Sequence, residues 1–261
     1  MQTPIAHSVP QPPRRWHFEL VWPVLRHPRR SLPAIASSAQ ALWLTPLVLL
    51  SALAIVQVLV AMPMRTAAAA STVVDLPPDF QYLTPDQQAQ FQSSLSASGG
   101  PMFTLVFPGL ALLGRVWLGW LIVAAILHLA LTLFGGRATM GSVLNRVAWS
   151  GLPLAVQSAI RIVALVITQR LIVSPGLAGF APAGDGWAAA LAAQILAQID
   201  VFMIWVVVLL VLSLRVQDDP GASKAWTAVL VTLVLALVLG SLPGLLASRL
   251  GGLTIVRPFL F

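Results

Sequence analysis

The sequence predicts an all-α polytopic membrane protein: a bundle of five transmembrane helices, a short amphipathic N-terminal segment and one large extracytoplasmic loop. Three observations predict it. Of the 261 residues, 58% are hydrophobic and only 9% are charged, against about 25% charged in soluble domains. The apolar residues gather into five runs of about twenty residues or more, the length that ~1.5 Å per residue needs to cross a hydrocarbon core of about 30 Å. The basic residues are also asymmetric. With the N-terminus inside, nine fall in the inner segments and four in the outer ones, which sets the orientation.

Residues 1–30 read as a segment of their own. Residues 1–13 are Pro-rich and polar, a composition that stays disordered. Beyond them Arg14, Arg15, Arg26, Arg29 and Arg30 alternate with Trp16, Phe18, Leu20, Val21, Trp22, Val24 and Leu25. That mixture suits the headgroups of an anionic leaflet; positive-inside topology alone is the alternative. Pro23 and Pro28 keep any helix there short. About forty residues precede the first apolar run, too many for a secretory signal.

Residues 31–261 read as the membrane domain. Ser31-Leu32-Pro33 has the form of a helix start, and the helix is expected to continue through span one, residues 41–62. The polar loop 63–103 follows, with Asp75, Asp79 and Asp86 against Arg65 alone. Within it, Thr84 and Gln87 have capping-box spacing, which predicts a helix over 85–96. Span two is 109–134 and span three is 153–173, joined by a cytoplasmic turn carrying Arg137 and Arg146. A Gly/Pro-rich loop leads to span four, 187–214. Span five, 226–247, contains Gly240 and Pro243, which would let it re-enter. Five full crossings put the termini on opposite sides, and the charge asymmetry makes the N-terminus cytoplasmic and the C-terminus extracytoplasmic; the plasma (inner) membrane is the expected location.

Ionisable groups inside apolar helices are costly and normally partnered. Arg161, counted from Pro153, and Asp200, counted from Trp187, come to one depth, roughly 10–12 Å from the cytoplasmic face. One Asp and one Arg at one depth predict an ion pair, with Gln157 and Gln198 completing a network. The pair reads either as a proton or substrate site or as a clamp that sets helix register. His128 is expected to hydrogen-bond another helix, and Arg115 to snorkel. Gly114 with Gly119, or Gly240 with Gly244, permit close helix packing.

Other functions are excluded by what is missing. There is no Cys, hence no disulfide or thiolate metal site. The net charge of +7 sits beside the spans, so nucleic acid is not the expected partner. No P-loop, HExxH or GxSxG occurs, and Asp200 alone does not make an aspartyl dyad. The chain is expected not to be an enzyme and to need no cofactor.

Three stretches carry a family resemblance: VLRHPRRSLPAI before span one, LIVAAILHLALTLFGG with His128, and NRVAWSGLPLAV opening span three. Together they resemble the prokaryotic Ypt-interacting-protein (YIP) domain family, over roughly residues 24–246. The Asp-Leu-Tyr-Gly-Pro motif of eukaryotic relatives is absent, so GTPase binding is not implied. The resemblance implies about five spans and a non-enzymatic membrane partner. Bacterial members commonly occur with macrolide-exporter-type ABC transporters, built of an ATPase, a permease and an adaptor-like protein. It therefore implies an accessory subunit that contacts those partners through its helices and outer loop. A secondary transporter or channel using Arg161 and Asp200, and a stand-alone membrane-organising scaffold, are the alternatives. Five spans without an inverted repeat make an unusual transporter plan.

Overall fold

The computed structural model describes residues 16–38, 40–71, 80–82, 84–98, 100–171, 176–182, 184, 186–215 and 221–250. Arg14, Arg15 and the Pro-rich residues 1–13 lie outside the described residues, as do Asp75, Asp79 and Asp185. Ten α-helices and no strand occur among the described residues. They are α1 (Val21–Arg26), α2 (Pro28–Ser37), α3 (Leu44–Ser71), α4 (Pro85–Ser98) and α5 (Phe107–Leu133). The rest are α6 (Met140–Ser150), α7 (Leu152–Thr168), α8 (Trp187–Leu196), α9 (Val201–Arg215) and α10 (Ala222–Leu250). Four stretches are long and apolar enough to cross a membrane: Leu44–Ala69, Met102–Leu133, Met140–Thr168 and Ser223–Leu246. A fifth crossing requires α8 and α9 to count as one span, and they are bent by 67° at the break between them.

Several boundaries differ from the sequence reading, each for a local reason. Span one does not continue the helix begun at Pro28. Ser38 is extended (ψ 128°), α2 ends there, and α3 begins afresh at Leu44. At its other end α3 runs through Pro63 to Ser71, because Ala67–Ala70 are the strongest helix formers available. Span three begins earlier than Pro153. Thr139 caps α6, its side chain accepting from Ser142 N, and α6 runs on into α7 with a break at Gly151. Pro153 has no N–H to offer the carbonyl of Trp149, which explains the break. The turn between spans two and three thus contracts, and Arg146 is not in it. Arg146 lies on α6 and is 1% exposed. α10 passes through Gly240 and Pro243 as one helix, so the expected interruption there does not occur. In the loop, Thr84 N donates to Gln87 Oε1 (3.0 Å) and Gln87 N to Thr84 Oγ1 (3.4 Å), a reciprocal cap that starts α4.

Two cores hold the bundle at the end where α5 turns into α6. One joins α5, α6, α9 and α10 through Leu127, Leu131, Val143, Leu210, Leu214 and Val229. The other seats the N-terminal helices on the bundle: Val24, Leu32 and Ile35 pack with Leu42, Trp149, Leu152 and Leu209. α1 and α2 thereby bury one face and leave Arg26, Arg29 and Arg30 exposed. Around the bundle α3 packs on α5 and α7, α10 on α5 and α9, and α9 on α7, while α5 and α7 share no substantial interface. They face each other across a ring of helices.

Candidate functional site

The joint between the N-terminal helices and α3 is built by α6. Asn145 Oδ1 accepts from Leu42 N (2.9 Å) and Trp43 N (3.0 Å), while its Nδ2 donates to Gln40 O (2.8 Å). Trp149 Nε1 donates to Leu42 O (3.1 Å), and Ser142 Oγ to Ala36 O (2.9 Å). A helix start leaves N–H groups without intrahelical partners; here a side chain from about a hundred residues away satisfies two just before α3. Sequence reasoning missed this joint. Its only trace was the polar Asn145 among the buried residues of the NRVAWSG stretch.

The second polar site lies where α8 gives way to α9. Asp200 caps α9, its Oδ1 accepting from Met203 N (2.9 Å). Its Oδ2 accepts from Gln157 Nε2 and stands 3.8 Å from Arg161 Nη2. That distance makes an ion pair without a hydrogen bond. The two side chains are 31% (Arg161) and 19% (Asp200) exposed, so neither is sealed in the core. Arg115, on α5, is exposed.

The structure therefore brings Arg161, Asp200 and Gln157 together. It does not bring in Gln198 or His128. Gln198 turns to α10, donating to Ser241 Oγ (2.9 Å), Leu237 O (3.2 Å) and its own helix at Gln194 O (3.1 Å). His128 is on α5, about 20 Å along the helix from Arg115. Its Nδ1 is buried without a hydrogen-bond partner among the described residues, against the expected bond to another helix. The depth of the pair also changes. Because α6 precedes α7 in the same stretch, Arg161 is roughly 32 Å from Met140 and about 10 Å from Thr168. Asp200 stands about 22 Å from Arg215 along α9. Both move toward the other end of the bundle, and they still meet.

The bend that exposes Asp200 has a tertiary cause. Leu177 N, from the preceding loop, donates to Leu196 O (3.0 Å) and Ile199 O (3.2 Å), taking carbonyls that a continuing helix would use. Gly176 makes this approach possible. It has φ +59°, and a Cβ there would lie 2.7 Å from Ala197 O and 2.8 Å from Ile199 O. Against α10, Gln194 and Gln198 fill the space over Gly244 and Gly240, where any Cβ would strike a glutamine Oε1. Gly114 and Gly119, by contrast, have nothing within 4 Å of such a Cβ, so they serve no close packing within the chain.

A half-helix starting inside an apolar bundle, with a capping carboxylate and Arg161 facing it, can hold an ion or polar group. It can equally lock α7 to α9. Among the described residues no His/Cys/Asp/Glu group that could hold a metal occurs. A family model described as the Yip1 domain matches residues 22–245. No curated protein and no solved structure matches the chain.

Proposed function

Because the chain belongs to the Yip1 domain family, we propose that this multi-pass membrane protein is a non-enzymatic accessory subunit of an ABC-type export complex. In this reading its helices and outer loop bind the permease/ATPase and an adaptor-like protein, and Arg26, Arg29 and Arg30 rest on anionic lipid. The observation that carries a partner-binding role is how little of each span the chain covers itself. Between 22% and 28% of the most apolar window of each of the four long spans is buried. The remainder, including Leu118, Ile160, Val163, Val234 and Leu246, is available to lipid or to partner helices, which associate through packing and hydrogen bonds. The ABC partner itself comes from the family resemblance alone.

The test is co-purification in detergent at high salt. Stoichiometric recovery of an ATPase and a permease supports the reading, and a lone homo-oligomer refutes it. Replacing Asp75–Ser98 by a Gly/Ser linker is expected to reduce recovery more than removing residues 1–30; complete loss on the second deletion alone moves recognition to the cytoplasmic face. We also propose a cytoplasmic N-terminus, with α4 on the opposite side. Ala89→Cys and Gly141→Cys are exposed sites in a chain without cysteine. On intact cells an impermeant thiol reagent should label position 89 and spare 141; the reverse inverts the topology. A second reading, transport, rests on the broken α8–α9 helix with Asp200 at its break, and ion flux in liposomes reconstituted with this chain alone would favour it.

A further inference from the structure

We infer that Trp16, Phe18 and Trp22 form a lipid-binding surface that inserts into the membrane interface beside the first turn of span one. This deepens the reading that Arg26, Arg29 and Arg30 rest on anionic lipid. It adds a contact that does not depend on headgroup charge, and it needs no export partner.

The three aromatic side chains are 47%, 52% and 67% exposed, in chain order. On the long spans the hydrocarbon core covers such groups. α1 has six residues, about 9 Å of helix, and cannot cross. Nor does the rest of the bundle cover them: Val24, Leu32 and Ile35 take the contacts to it, while Trp16 and Phe18 stack on each other with ring centroids 6.0 Å apart. Phe18, Trp22 and Arg26 recur at intervals of four residues and so share one face, turned away from the buried Val24.

Two observations name lipid as the occupant. The first is the level of the rings. His17 N donates to Thr45 Oγ1 (3.0 Å), and Thr45 lies in the first turn of α3, where span one starts. Trp16 and Phe18 flank His17, so they stand where a span passes from headgroups to hydrocarbon, the depth that aromatic belts occupy. The second is charge. Residues 16–38 hold Arg26, Arg29 and Arg30 against Glu19 alone, all four exposed. An aromatic face edged by arginines has the composition of an interfacial helix on an anionic leaflet. The rings set the depth of the segment, and the arginines select the headgroup.

The test uses the full chain reconstituted into phosphatidylcholine vesicles, with and without phosphatidylglycerol. The sequence has no Cys, so Trp22→Cys places a single nitroxide, and Trp22 belongs to neither core. Collisions of the nitroxide with oxygen, which concentrates in lipid, are compared with those with a water-soluble nickel chelate. Ala89→Cys on the polar α4 and Leu118→Cys on the exposed middle of α5 are the water and lipid references. In both kinds of vesicle the oxygen-to-nickel ratio at position 22 is expected to lie between the two references, several-fold above that at 89. Adding Trp16→Ser and Phe18→Ser should lower it toward the water reference. Replacing Arg26, Arg29 and Arg30 together by Gln should leave the ratio in phosphatidylcholine unchanged and abolish any increase that phosphatidylglycerol causes. If phosphatidylglycerol makes no difference, the aromatic contact stands and the anionic-lipid reading falls. A ratio at 22 equal to that at 89 in phosphatidylcholine overturns the proposal, and its recovery with phosphatidylglycerol would leave the arginines alone holding the segment. A nitroxide shielded from both reagents overturns it too, because a second copy of the chain then covers the face.

Discussion

Replacing Asn145 by Leu removes the polar joint at the start of α3 while keeping the side-chain volume close to its original value. Two N–H groups, of Leu42 and Trp43, lose the acceptor that stands 2.9 and 3.0 Å away. The Leu42 N–H is buried and the Trp43 N–H is half-buried, against the buried Trp149, so water does not readily replace it. Each buried donor left unpaired costs about 1–3 kcal/mol. Gln40 O loses its donor too, but Gln40 is exposed and its carbonyl can be hydrated. The loss is therefore about 2–6 kcal/mol, a large part of a typical stability of about 5–15 kcal/mol. For a chain of this size that is a fall of roughly 5–20 °C in Tm. Trp149→Phe, which gives up the bond to Leu42 O and little volume, should cost about 1–2 kcal/mol. The assay is thermal unfolding in detergent followed by tryptophan fluorescence, since Trp43 and Trp149 lie at the joint. Limited proteolysis at Arg26, Arg29 and Arg30 should show the N-terminal helices released first. An Asn145→Leu protein within about 2 °C of the native Tm, with unchanged resistance to protease, would refute the reasoning.

The ion pair and the glycine groove give two more expectations. Asp200→Leu leaves the half-buried Arg161 without its partner and removes the cap of α9, for a loss of about 1–3 kcal/mol; Arg161→Leu with Asp200→Leu should recover most of it, short by about 1 kcal/mol for the cap. A double variant as unstable as the sum of the singles, measured by thermal unfolding, argues against coupling. Gly240→Ala places a methyl against Gln198 Oε1 and displaces a side chain with three hydrogen bonds, costing roughly 1–3 kcal/mol. Gly114→Ala meets nothing and should be neutral or slightly stabilising, because Ala is the better helix former; equal effects at the two positions would contradict this account.

Much of this protein was determined by local physics and is legible in the sequence. Apolar runs about twenty residues long must become helices in lipid, because every backbone N–H and C=O has to be satisfied within the segment. That placed α3, α5, α7 and α10, and Thr84 with Gln87 placed the start of α4, since a cap depends on residues three apart. The Arg161–Asp200 contact was legible for a similar reason: a lone acid and a lone base in apolar helices have few other partners. What tertiary structure decided are the events where a distant group supplies the hydrogen bond. Asn145 starts α3 from α6. Leu177, admitted by Gly176, takes the carbonyls of α8 and breaks an apolar run that contains no Gly or Pro. Packing around α6 buries Arg146, which charge counting assigned to a water-facing turn. Periodicity and hydropathy report what a segment satisfies by itself, and these residues matter through what they offer to another segment.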